Sequence, residues 1–129
     1  MLMDTNGNTK ELLIKDLSSR LPYDVKVLYD NKVFSIDYVS SIYEEIKLDT
    51  CDNYTLDVSD VKPYLFPLSS MTEEQKMFLK QQNWCIAIST SGTVETTVEG
   101  IDWLNKNHFD INNLIPIGLA IDATGLNIY

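Results

Sequence analysis

Pro22 divides the first forty residues into two periodicities, and that division constrains the fold more than any other feature of the chain. Before it, Leu13, Leu17 and Leu21 recur at helical spacing, and Asn8 followed by Glu11 has the form of a capped helix start. A helix is expected from about Thr9 to Arg20, stopped by the proline. After it the period falls to two: Val25, Val27 and Tyr29 alternate with Lys26 and Leu28, Asp30-Asn31 supplies turn residues, and Phe34, Ile36 and Tyr38 resume the alternation. This predicts a β-hairpin. Ile42, Ile46 and Leu48 would share one face of a third strand, and Tyr54, Leu56 and Val58 one face of a fourth, after the turn-rich Asp49-Thr50-Cys51-Asp52-Asn53.

In Val61-Lys62-Pro63-Tyr64-Leu65-Phe66-Pro67-Leu68 two prolines exclude a helix, while the apolar content implies that the segment crosses the core. Thr72 and Gln75 form a capping box, with Glu73 and Glu74 at the positive end of a second helix that reaches about Gln82. Residues 84–98 stay open: Trp84 to Ile88 reads as a short buried strand, and Thr93 to Val98 as its hairpin return. A third helix over about Thr97 to Asn107 carries Ile101, Leu104 and His108 on one face. Beyond it Ile117, Leu119 and Ile121 alternate with Gly118 and Ala120 as a strand would. No internal repeat stands out. The expected fold is α+β, one domain over residues 1–129: a small antiparallel meander, with scope to curl towards a barrel, covered by the N-terminal helix and the two later helices.

Composition removes several function classes. With 44% hydrophobic and 22% charged residues an ordered core is expected. A net charge of −9 opposes binding to nucleic-acid phosphates and anionic membranes, and no run of 18 apolar residues predicts a membrane span. The polar Met1 to Lys10 does not read as a signal peptide, so a cytoplasmic location with Cys51 and Cys85 as reduced thiols is the expectation.

The words Lys10-Glu11-Leu12-Leu13-Ile14-Lys15-Asp16-Leu17, Arg20-Leu21-Pro22-Tyr23, Lys62-Pro63-Tyr64-Leu65, Ser69-Ser70-Met71-Thr72-Glu73-Glu74, Asp102-Trp103-Leu104-Asn105, His108-Phe109-Asp110 and Gly118-Leu119-Ala120-Ile121, in that order, carry a resemblance. The chain resembles small proteins of no assigned activity encoded by phages, prophages and mobile elements of gut Bacteroidetes. The resemblance implies an intracellular bacterial setting and an accessory role on a mobile genome, and transfers no functional residue.

Candidate chemistry is sparse. His108 beside Asp110 could be a general base oriented by a carboxylate, or a capping or packed residue at a helix end, and the second reading is preferred. A Cys–His108 nucleophile pair lacks any local signature. Asp49, Asp52, Asp57 and Asp60 miss the spacing of a calcium loop and read as turn formers, so no metal is expected. With no GxGxxG, Walker-type loop, HExxH or CxxC, no cofactor is expected, and a non-enzymatic role is preferred over an enzymatic one. The remaining candidate is aromatic: Tyr64 and Phe66 on the proline-stiffened segment, with Trp84 and Trp103, form either a partner site or the buried seam between helices and sheet. Three functions follow in order of preference: an accessory protein that binds another protein, a small-ligand binder or enzyme, and a small virion component.

Overall fold

The computed structural model describes residues 6–50, 55–84, 86–88 and 94–129. Cys51, Asp52, Tyr54 and Cys85, and with them the thiol expectations, lie outside the described residues.

Helix α1 (Asn6–Arg20) starts ahead of the expected Thr9 and buries Leu13, Ile14 and Leu17, the apolar stripe of the sequence, against the sheet. Pro22 sits in a 3₁₀ turn, Leu21–Tyr23, and Asp24 at φ +55° swings the chain into β1 (Lys26–Tyr29). Asp30 and Asn31, both with φ near the left-handed value of a type I′ turn, join β1 to β2 (Lys32–Ser40) in the expected hairpin. β3 (Glu45–Leu48) and β4 (Leu56–Asp57) extend the meander, and Asp57 caps a 3₁₀ turn by accepting the Ser59 N–H.

The proline segment is β5 (Lys62–Leu65), antiparallel to β1, and β8 (Ile121–Asp122) runs parallel to it. The sheet order is β4-β3-β2-β1-β5-β8, an open sheet and not a barrel. Leu65 joins the α1 core, while Tyr64, which an extended strand points to the opposite face, is also buried; both faces of β5 are therefore covered.

Three expectations about strands need correction. Between Ile36 and Tyr38 the pairing with β3 slips by one residue, so Asp37 forms a bulge and the alternation inverts. Val39, not Tyr38, then packs on the core, and Tyr38 is exposed. Ile42 is not in a strand: it is 83% exposed in the turn between β2 and β3, whereas Ile46 and Leu48 are buried in β3. In the tail, residues 114–118 are turns. Leu114, Ala120 and Ala123 are the buried positions there, and Gly118 takes φ +80°, so of the alternating residues 117–121 only Ile121 lies in a strand.

The residues left open resolve into a small hairpin, β6 (Ala87–Ile88) and β7 (Val94–Glu95), between α2 (Glu73–Gln81) and α3 (Val98–Lys106). The Thr72–Gln75 capping box forms in full, each residue's backbone N–H donating to the other's side chain.

One polar cluster ties the N-terminal helix to the far end of the chain. Arg20 and Asp16, both wholly buried, form a two-point ion pair at 2.8 and 3.0 Å, and Arg20 Nη2 also donates to the Phe109 carbonyl at 2.6 Å. Asn112 donates to Asp16 at 2.9 Å. Both residues share the helix face of Leu13 and Leu17, so the apolar stripe of α1 carries a charged pair at its C-terminal end.

Candidate functional site

Two helix ends generate the aromatic site. At the end of α2, Asn83 adopts φ +62°, its N–H donates to the Lys80 carbonyl and the Trp84 N–H to the Leu79 carbonyl. At the end of α3, His108 adopts φ +63°, its N–H donates to the Asn105 carbonyl and the Phe109 N–H to the Leu104 carbonyl. Both are Schellman motifs, in which the residue after the left-handed position folds back over the last turn. The folded-back residue is aromatic in each, and it meets an aromatic on its own helix. Trp84 lies edge-on to Phe78 at 6.0 Å, and Phe109 stacks on Trp103 at 5.8 Å. The two motifs then join, because Phe78 stacks on Trp103 at 6.0 Å and 22°.

The series continues from Phe109 to Phe66 at 6.4 Å, from Phe66 to Tyr129 at 5.9 Å, and from Tyr129 to a parallel His108 ring at 3.7 Å. Backbone pairing holds the middle of it: the Phe66 N–H donates to the His108 carbonyl and the Asp110 N–H to the Phe66 carbonyl. Of the sequence-derived candidates, Phe66, Trp84 and Trp103 enter this ladder, each half-buried. Tyr64 does not. It is buried in β5 and takes part only through its backbone carbonyl, which accepts the Tyr129 hydroxyl at 2.7 Å.

Phe78, Phe109 and Tyr129 were missed by sequence reasoning, and so was the signal for two of them. Phe78-Leu79-Lys80-Gln81-Gln82-Asn83-Trp84 and Trp103-Leu104-Asn105-Lys106-Asn107-His108-Phe109 repeat one pattern of aromatic, buried leucine, left-handed residue and aromatic. A short internal repeat is therefore present after all.

The general-base geometry does not form. The Asp110 carboxylate accepts the Leu114 and Ile115 N–H groups at 2.8 and 2.9 Å, and burial raises its pKa. His108 is stacked and half-buried, and desolvation, aided by the Arg20 charge, lowers it to about 4. It is a neutral, left-handed helix cap at pH 7. Among the described residues no three of His, Cys, Asp and Glu are grouped to hold a metal ion. Asp57 instead takes Lys10 at 2.9 Å and both donors of Ser59, which hold its pKa at about 2.

Two cavities flank the ladder. The first, of about 380 Å³, is apolar, lined by Leu68, Met71, Leu79, Trp84 and Ile86. Its charged lining groups are Lys76 and Lys80, and Lys76 is 3.4 Å from Glu73. On the same helix Met77 and Phe78 are exposed, at 61% and 39%. The second, of about 430 Å³, lies beyond Phe66 and is more polar. No helix of the described residues is long and apolar enough to cross a membrane.

Compared with protein-family models, curated proteins and solved structures, the chain matches none.

Proposed function

We propose that the protein is a non-enzymatic accessory factor of a phage or mobile element that acts by binding another protein, through the apolar groove of α2. The observation that carries this reading is the combination of that apolar groove with exposed Met77 and Phe78 on the same helix, since exposed apolar surface of this kind marks interaction sites. Its charges support one kind of occupant. In a chain of net charge −9 the groove is lined by two lysines and, among the described residues, by no carboxylate. The matching partner is a protein segment that places an apolar side chain between acidic ones. The resemblance to proteins of mobile elements supplies the setting, and a cytoplasmic location accords with it.

The test is affinity capture from the native host with the parent chain and two surface variants, Met77→Glu and Lys80→Glu. The parent should retain a protein that also binds the purified chain directly, and both variants should lose it while melting as the parent does. Equal retention by all three, or no retained protein, would overturn the proposal.

A further inference from the structure

The second cavity is built from different chemistry. Phe66, Phe109 and the stacked Tyr129–His108 pair give it aromatic walls, and Thr72, Gln75 and Lys106 supply polar groups. No carboxylate lines it among the described residues, and its volume of about 430 Å³ is in the range of small-molecule sites.

Thr72, Gln75 and Lys106 can each offer a donor to this cavity. The capping box uses Thr72 Oγ1 and Gln75 Oε1 as acceptors for backbone N–H groups. The Thr72 hydroxyl hydrogen and the Gln75 amide NH₂ are donors left free by these bonds, while each oxygen keeps a second lone pair. The Lys106 ammonium adds a third donor and a positive charge. His108 Nδ1 is buried with no partner in the protein. Asn107 Nδ2 donates to the Trp103 carbonyl at 2.9 Å, and Ser70 Oγ to the Pro67 carbonyl at 2.6 Å.

We infer that this cavity binds a small aromatic carboxylic acid, its ring against the phenyl walls and its carboxylate among Lys106, Thr72 and Gln75. A planar ring matches the aromatic faces, and an anion matches the Lys106 ammonium together with the Thr72 and Gln75 donors. A neutral ring would gain nothing from the Lys106 charge, and an aliphatic acid would leave the aromatic walls unfilled. The site is separate from the groove of α2: Lys106 is in α3, and neither Phe66 nor His108 lines the groove.

The test is titration of the full chain, at constant ionic strength, with benzoate, phenylacetate and indole-3-acetate and with the matching primary amides, followed by NMR of the His108 and Tyr129 rings. At least one acid should bind with a millimolar or tighter dissociation constant, and its amide about tenfold more weakly. Lys106→Gln, an exposed substitution, should erase the preference for the acid over the amide and leave the melting temperature unchanged. The inference is overturned if no acid moves either ring at about 10 mM, a concentration that would reveal even feeble binding. It is equally overturned if acid and amide bind alike, or if Lys106→Gln has no effect.

Discussion

Phe78 and Trp103 hold equivalent places in two successive helices, each five residues before the left-handed residue that ends its helix, and their rings stack with centroids 6.0 Å apart. The contact joins two copies of one local design. Each Schellman turn needs a residue that tolerates positive φ, and each returns an aromatic over its own last turn. Stacking the two copies produces a layer of rings outside the main core under α1.

If the stack is a specific contact, its two halves should be coupled. Phe78→Leu and Trp103→Leu each remove one ring, and the double variant should be about 1 kcal/mol more stable than the sum of the single losses implies. Chemical denaturation of the four proteins measures this. Additive losses would mean that the rings merely lie close together.

At the end of α2, Asn83 is exposed and left-handed at φ +62°. Asn83→Gly should preserve or slightly raise the melting temperature, whereas Asn83→Val should cost about 1–2 kcal/mol, because a β-branched side chain is strained in that region. Equal effects would show that the turn does not depend on this backbone conformation.

The ion pair in the core should be intolerant of half-removal. Arg20→Met leaves Asp16 buried without its cation and should cost about 3–5 kcal/mol, while the double change Asp16→Leu with Arg20→Met should recover most of that loss. The recovery is the informative result, since a lone loss could come from packing. Failure of the double variant to recover would assign the role to the Arg20 bond with the Phe109 carbonyl.

His108 sets a pH dependence of definite sign. Its folded pKa, about 4, lies below the ordinary 6.5, so between those values the unfolded chain binds more protons. Its contribution is complete above pH 6.5 and declines as pH falls towards 4. Half-exposure limits the loss to about 1 kcal/mol after solvent screening. Melting at pH 7 and pH 5 should show a decrease, and His108→Phe, which keeps an aromatic against Tyr129, should reduce it. An unchanged pH response in that variant would contradict the assignment.

The elements with strong local signals were legible in the sequence. The leucine stripe and Pro22 mark α1, Asp30-Asn31 marks the first hairpin, and Thr72 with Gln75 marks the start of α2, because each depends on contacts within a few residues. What escaped depended on distant partners. The bulge at Asp37 is expressed only through pairing with β3, and Asp16 and Arg20 become a buried pair only when residues 109–112 close over them. Half of the aromatic site was visible as Phe66, Trp84 and Trp103. Tyr64 shares their character but faces a covered side of β5, while Phe78 and Phe109 were not singled out, because their spacing has meaning only at a Schellman end.

The central claim, that the α2 groove is the docking face, is tested most directly by hydrogen–deuterium exchange of the chain alone and with its captured partner. The competing apolar surface is the turn holding Ile42 and Tyr43, exposed at 83% and 74%. Binding at the groove should slow exchange in α2 and in residues 68–71 and leave the β2–β3 turn as it was. Protection at that turn, with α2 unchanged, would contradict the account.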